Sequence, residues 1–146
     1  MNRKISFLIT MVLLMAATLS PAQKGTGNNT GIARNHSANE VIQVSGVVQK
    51  IVTEPCTQTT GRYSNGTHLL VKPEGDKSQT LNVHLGPTPV VSDMISQLET
   101  GQELHLKIYN TDDLPDNHYI AKELTGKEKV YELRDATLRP FWSGRK

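Results

Sequence analysis

Two histidines in residues 67–87, THLLVKPEGDKSQTLNVHLGP, have the side chains and the spacing for coordination chemistry. The segment is typical of a β-hairpin, with strands at residues 68–72 and 79–85 around the turn residues PEGDKS. His68 and His84 lie near the outer ends of these strands, and imidazole binds zinc, copper, nickel or iron. The hairpin therefore predicts either a metal site or two ordinary polar residues on the solvent-exposed face of a sheet.

The hydrophobic pattern of the hairpin predicts which faces its residues share. Most of the aliphatic residues in both strands carry odd numbers, and they can share one buried face only if odd-numbered residues oppose odd-numbered residues. We place His68 opposite Asn82, with His84 as a diagonal neighbour at about 7 to 8 Å. Both histidines then lie on the outer face with Lys72, which permits a common site without requiring one.

The elements around the hairpin predict a small barrel. Alternating patterns indicate further strands at residues 41–53, 102–110, 118–124 and 129–135, the first with Gly46 as a possible bend. Residues 89–101 change to helical spacing, with Ser92 as N-cap and Gly101 as the stop. Three strands, a helix and two or three strands predict an all-β fold with one short helix, a five- to six-stranded OB-like Greek-key barrel. Another small β-barrel or an open α+β sheet is the alternative.

The N-terminus has the three parts of a secretory signal peptide. A basic start is followed by an apolar run and by small residues, which predicts cleavage after Ala22. An uncleaved anchor is the alternative, although the run is short for a bilayer span of about 20 residues. We expect a signal peptide at 1–22, a polar flexible leader at 23–40 and the barrel domain at 41–146. The mature chain would be periplasmic or secreted, without a membrane span.

Charge and cysteine content narrow the class of partner. Cleavage would remove Arg3 and Lys4, leaving 14 basic and 14 acidic residues, so no bulk charge favours nucleic acid or anionic lipid. Cys56 is the only cysteine, which excludes an internal disulfide and a multi-thiolate zinc site. Cys56 is either a tolerated loop thiol or a residue that forms a mixed disulfide or a cross-link between two chains.

Four segments carry a resemblance to a known group of proteins. They are GVVQKI at 46–51, THLLVK with NVHLGP at 67–87, GQELHLKI at 101–108, and YELRDATLRPFWSG at 131–144. In order and spacing they resemble small exported bacterial proteins of the OB type, which are often labelled hypothetical or DNA-binding and are similar to domains of the magnetosome proteins MamS and MamX. The resemblance covers residues 41–144. It implies the fold and an exported location, and it supplies no catalytic residue.

Two positions depart from the pattern of that group. Leu138 stands where the group usually has glycine before the Arg-Pro step, so the final turn can differ. No aromatic residue follows HLGP at 84–87, where the group often has a tryptophan or a tyrosine. The terminal pair Phe141 and Trp142 is expected to fold back and close an end of the barrel rather than to form an exposed patch.

The function predicted from these features is non-enzymatic binding. The sequence has no GxSxG, HExxH or Gly-rich phosphate motif, and we expect no cofactor. OB barrels bind across strands two and three and the adjoining loops. The expected partner is a periplasmic protein or a small ligand. The predicted binding residues are Lys50, Arg62, His68, Lys72, Asn82 and His84, beside the loop at 57–66.

Two alternative functions remain open at this point. A transition-metal-binding protein would use His68 and His84 as ligands. A single-stranded nucleic-acid-binding protein would combine a basic face with aromatic rings that stack on bases. For that alternative the candidate residues are Lys50, Arg62, Lys72, Lys107, Tyr63, Tyr109 and Tyr119, although the neutral mature chain makes nucleic acid an unfavoured partner.

Overall fold

The computed structural model describes residues 40–55, 65–76 and 78–143. Its elements in chain order are β1 Ile42–Pro55, β2 Asn65–Pro73, β3 Leu81–Pro87, α1 Thr88–Ile95, β4 Glu103–Tyr109, β5 His118–Gly126 and β6 Lys129–Glu132. The order of strands and helix is the predicted one. The predicted fold class, all-β with one short helix, is confirmed.

Strand pairing closes five of these strands into a barrel. Antiparallel pairs join β3 to β2, β2 to β1, β1 to β4 and β4 to β5. A parallel pairing of β3 with β5 completes the ring, and β6 extends β5 outside it. This arrangement, with the helix between the third and fourth strands, is the OB-like Greek-key barrel. The parallel seam contains only three residue pairs, from Asn82–His118 to His84–Ile120.

The first strand is long because it pairs on both sides of the barrel. Its first half pairs with β4 and its second half with β2, and the two registers overlap at Gly46 and Val47. A Cβ atom on Gly46 would lie 2.5 Å from the carbonyl oxygen of Lys72. The close approach of β2 to β1 therefore requires glycine in the middle of this strand.

Aliphatic side chains from all five barrel strands fill the interior. The fully buried residues include Val48, Leu69, Val71, Val83, Leu85, Leu104, Ile108, Ala121 and Leu124. Helix α1 adds Val91 and Met94 to the same core. Burial of each large aliphatic side chain contributes about 1.5 to 3 kcal/mol. The odd-numbered residues of β2 and β3 point inward, as predicted, and the even-numbered residues form the outer face.

Helix α1 begins earlier than the sequence predicted. It starts at Thr88 and carries Pro89 in its first turn, where the missing N–H has no helical partner to lose. Ser92, the predicted N-cap, lies inside the helix and its hydroxyl donates to the carbonyl oxygen of Pro89. The helix ends at Ile95, and Gly101 lies later, with a positive φ of 86° before β4. Both predicted helix boundaries were wrong. Pro89 lies in the first turn of the helix rather than before it, and Gly101 belongs to a later turn rather than to the helix end.

The C-terminal segment closes the seam between β3 and β5. The buried guanidinium of Arg134 donates hydrogen bonds to the carbonyl oxygens of Leu85 and Ala121, directly beyond the last residue pair of the seam. The indole ring of Trp142 lies 5.2 Å from this guanidinium. A Cβ atom on Gly86 would lie 2.7 Å from the indole, so Trp142 packs directly on the backbone of β3. The expected return of the terminal aromatic residues is confirmed for Trp142.

The turn before Trp142 is held by a single carboxylate. Asp135 Oδ1 accepts hydrogen bonds from the backbone N–H and hydroxyl of Thr137 and from the backbone N–H of Arg139. Leu138 has a φ of 63°, a left-handed conformation that disfavours residues with a Cβ atom. Phe141 is 45% exposed, so the predicted inward packing of the aromatic pair was wrong for this member.

Several predicted features lie outside the described residues. They are the signal peptide at 1–22, the leader apart from Glu40, Cys56, and Arg62 with most of its loop. Within the described segments, no helix has the length and apolar character needed to cross a bilayer.

Candidate functional site

The hairpin of β2 and β3 places His68 and His84 side by side on the outer face. The two residues are directly paired across the strands, and their ring centroids lie 4.7 Å apart in an edge-to-face arrangement. The predicted pairing of His68 with Asn82 was wrong by two residues, because Leu70 lies opposite Asn82. Side-chain alternation determines that odd-numbered residues pair with odd-numbered ones and even with even, while the turn determines which residues of each set lie opposite each other. The two imidazoles are therefore closer than the sequence predicted.

A chain of hydrogen bonds joins three side chains on this face. His68 Nδ1 lies 2.7 Å from Asn82 Oδ1, and His68 Nε2 lies 3.1 Å from His84 Nδ1. An amide oxygen only accepts, so Nδ1 of His68 donates to Asn82. In the tautomer in which Nε2 of His68 accepts, Nδ1 of His84 donates across the 3.1 Å contact and Nε2 of His84 keeps its lone pair.

The electrostatic environment keeps His84 neutral. Burial, then the positive charge of Arg134, then His68 lower the pKa of His84 from its usual 6.5 to about 3. Arg134 is itself deeply buried, and burial lowers the pKa of its guanidinium. Tyr109 lies close enough to interact with Arg134, and burial raises the pKa of this phenol. The lone pair of His84 is thus available at any physiological pH.

Two other predicted binding residues, Lys50 and Lys72, lie on the same outer face as the histidines. Lys50 lies opposite Leu70 across β1 and β2, and Lys72 lies further along β2. Glu54, which the sequence reasoning missed, places a carboxylate oxygen 3.9 Å from Nδ1 of His68. In the described part of the chain, no hydrogen bond or ion pair joins either lysine to a histidine.

We call this surface the histidine face and define it by Lys50, His68, Lys72, Asn82 and His84. Three of its members, the two histidines and Asn82, contact one another. The two lysines share the face without joining the chain. Arg62, the sixth predicted residue, belongs to the loop outside the described residues.

The histidine pair offers two nitrogen ligands to a metal ion. His68 Nε2 and His84 Nδ1, 3.1 Å apart, can both bind one zinc ion at about 2.0 to 2.1 Å when both nitrogens are unprotonated, which requires the proton of His84 to lie on Nε2. Asn82 holds the other nitrogen of His68, as outer partners of metal-binding imidazoles do. Among the residues that the structure describes, no group of three His, Cys, Asp or Glu side chains is placed to hold an ion. A metal bound here would take its remaining ligands from water or from another molecule.

The residues predicted to stack on nucleic acid are not assembled on one face. Tyr109 is only 1% exposed, and Tyr119 is partly buried against the core. Lys107 lies on β4 and forms an ion pair with Glu123 at 2.9 Å, away from the lysines of the histidine face. Tyr63 lies outside the described residues. Among the described candidates, the predicted grouping of basic and aromatic residues was therefore wrong.

Besides Glu54, sequence reasoning missed two further features. Arg134 lies in the segment YELRDATLRPFWSG at 131–144, yet nothing in the spacing indicated that its guanidinium would bridge β3 and β5 near His84. Ser45 and His105 are the second feature, with Ser45 Oγ 2.7 Å from His105 Nδ1 on the outer face of β1 and β4. Only the register of these two strands brings the residues together. A prediction of the β1–β4 pairing would have found this contact.

The chain was compared with family models, with curated proteins and with solved structures, and none of them matches it.

Proposed function

We propose that this protein is a non-enzymatic binding module that acts outside the cytoplasm, in the periplasm or as a secreted protein. It recognises a small ligand or a protein partner through the histidine face. The observation that carries the proposal is the hydrogen-bonded chain from Asn82 through His68 to His84, whose imidazole stays neutral because burial lowers its pKa to about 3. The proposed location rests on the signal-peptide pattern of residues 1–22.

The histidine face combines a polar centre with aliphatic flanks. Val52 lies opposite His68 across β1 and β2, and Leu70 follows on the same face, both half-buried. A ligand that places an O–H or N–H donor on His84 Nε2 would gain about 0.5 to 1.5 kcal/mol from that hydrogen bond. Contact with the aliphatic residues would add burial of apolar surface. The site therefore suits a ligand with one donor group beside an apolar part.

An NMR screen of the mature chain tests this proposal. Amide spectra are recorded with a panel of small probe molecules that each carry a hydroxyl or amide donor on an aliphatic or aromatic body. We expect the shifted resonances to cluster at Lys50, His68, Leu70 and His84, and to vanish in the His84→Ala variant. Lys107→Ala, on another face, serves as the matched control and should keep the shifts. An absence of shifts at the histidine face, or shifts there that persist in His84→Ala, would contradict the proposal.

Transition-metal binding is the second candidate function, favoured by the 3.1 Å separation of the two imidazole nitrogens. The positive charge of Arg134 works against a cation at this position, so we expect weaker binding than at a complete site. Imidazole nitrogen resonances of His68 and His84 should shift together when zinc or copper is added. Shifts at only one histidine, or at His105 or His118 instead, would rule out a shared site.

A further inference from the structure

A second outer surface, on β1, β4 and β5, contains a groove of about 290 Å³. Two rows of polar side chains cross the three strands and form its walls. The first row is Ser45, His105 and Thr125, and the second is Gln43, Lys107 and Glu123. We call this surface the polar groove. It is independent of the histidine face, because the side chains that line it come from other positions on the barrel.

The members of each row are paired across the strands. Ser45 Oγ lies 2.7 Å from His105 Nδ1, which fixes the imidazole plane and directs Nε2 away from the serine. Lys107 Nζ lies 2.9 Å from Glu123 Oε1, and only 15% of the glutamate side chain is exposed. The groove walls are thus held in place by one hydrogen bond and one ion pair, which reduces the entropy lost when a ligand binds.

The chemistry of the groove favours a neutral, hydroxylated ligand. The charges of Lys107 and Glu123 cancel, so the groove has no preference for an ion of either sign. The ammonium has three donors and the carboxylate has two acceptor oxygens, so each retains capacity beyond their mutual contact. Nε2 of His105 donates or accepts according to the tautomer, and a hydroxyl group matches either case because it does both. Among the described residues, no phenylalanine, tyrosine or tryptophan lines the groove, which disfavours flat stacking ligands.

We propose that the polar groove binds a neutral polyhydroxylated small molecule, of the size and kind of a single sugar ring. Ligand pockets usually have volumes of about 300 to 1,000 Å³, so a groove at the lower limit fits a small ligand. Adjacent hydroxyl groups on such a ring would contact both rows at once. Lys107 and Glu123 would bind one hydroxyl as acceptor and donor, while Ser45, His105 and Thr125 would bind another.

The test is an NMR titration of the mature chain with three related probes. Glucose is neutral, glucuronate is anionic and glucosamine is cationic. Each probe is added to about 50 mM, because a small neutral ligand of this kind is expected to bind with a Kd in the millimolar range. We expect saturable amide shifts with glucose at Ser45, His105 and Thr125, and weaker shifts with both charged probes. Ser45→Ala should weaken glucose binding about fivefold, because one hydrogen bond and the fixed imidazole are lost.

Two variants separate the groove from the rest of the molecule. Glu123→Gln removes the charge that neutralises Lys107 and should convert the preference from glucose to glucuronate. Lys50→Ala, on the histidine face, should leave glucose binding unchanged. The proposal is overturned if glucose produces no shifts, if its shifts map to His68 and His84, if a charged probe binds the native chain more tightly, or if Ser45→Ala binds glucose as the native chain does.

Discussion

The histidine face and the polar groove each contain a histidine with a 2.7 Å hydrogen bond, yet the surroundings of the two hydrogen bonds differ. His68 bonds to Asn82 and through its other nitrogen to His84, which lies close to the buried charge of Arg134. His105 bonds to Ser45 on an exposed part of the sheet. Burial and the nearby guanidinium lower the pKa of His84 to about 3.

The difference between the two surfaces lies in their relation to the seam of the barrel. His84 belongs to the three residue pairs that join β3 and β5, and Arg134 bonds to the next carbonyl on each of these strands. The polar groove lies on continuous antiparallel pairs that need no such bridge. Substitutions at the seam beside the histidine face should therefore lower stability, whereas substitutions in the polar groove should mainly alter binding.

The largest expected effect is that of Arg134→Ala. Two buried carbonyl oxygens lose their donor, and we expect the free energy of unfolding to fall by about 3 to 5 kcal/mol in urea denaturation. Lys107→Ala is the matched control in the groove, and breaking its partly exposed ion pair should cost no more than about 1 kcal/mol. Equal losses in the two variants would show that Arg134 does not hold the seam.

Trp142→Ala should have the next largest effect. The indole packs on Gly86 and lies over the guanidinium of Arg134, so its removal exposes the seam and deletes a half-buried ring. We expect a loss of about 2 to 3 kcal/mol by thermal or urea unfolding. Phe141→Ala, beside it but 45% exposed, should change stability by less than about 1 kcal/mol. Unchanged unfolding of Trp142→Ala would mean that the tail does not support the barrel.

The pH dependence of stability should reveal the burial of His84. Folded His84 stays neutral down to a pKa of about 3, while the unfolded residue takes up a proton below its usual pKa of 6.5. The unfolded state therefore binds more protons between these values, and stability falls as the pH falls through this window. We expect a loss of about 2 to 3 kcal/mol between pH 6.5 and 4.5.

Two variants check the origin of this slope in urea unfolding at several pH values. His84→Asn should flatten the dependence on pH, whatever its effect on stability at neutral pH. Phe141→Ala, which removes no titratable group, should keep the slope of the native chain. A native slope in the His84 variant would assign the effect to another group.

The smallest expected effect is a gain in stability from Leu138→Gly. Leu138 adopts a φ of 63°, where glycine avoids a strain of about 1 to 2 kcal/mol, although a half-buried side chain is lost. We expect the free energy of unfolding to rise by about 0.5 to 1 kcal/mol. Gly101→Ala is the reverse control, since its φ is 86° and open space surrounds the added methyl group. A stabilising Gly101→Ala would contradict the assignment of strain to left-handed backbone.

The sequence predicted the strands well because hydrophobic alternation is a local signal that the barrel retains. It also predicted that His68 and His84 share a face, since parity follows from alternation. The offset of the hairpin was wrong by two residues, because turn geometry is not encoded in the hydrophobic pattern. The start of α1 was missed for a similar reason, since Pro89 fits the first turn as well as a preceding loop.

The parts of the sites that depend on distant contacts were beyond sequence reasoning. Arg134 reaches Leu85 and Ala121 through a segment without regular structure, so no periodicity indicated its burial. The Ser45–His105 contact depends on the register of β1 with β4, which are about 60 residues apart in the chain.

The short parallel seam also bears on the order of folding. The hairpin of β2 and β3 joins neighbouring residues, whereas the pairings of β1 with β4 and of β3 with β5 join strands that are distant in the chain. Non-local pairings are expected to form late, because the chain loses loop entropy before the contacts stabilise it. We therefore expect the seam, with only three residue pairs, to form after the hairpin. Side chains of the seam should then affect the rate of unfolding more than the rate of folding.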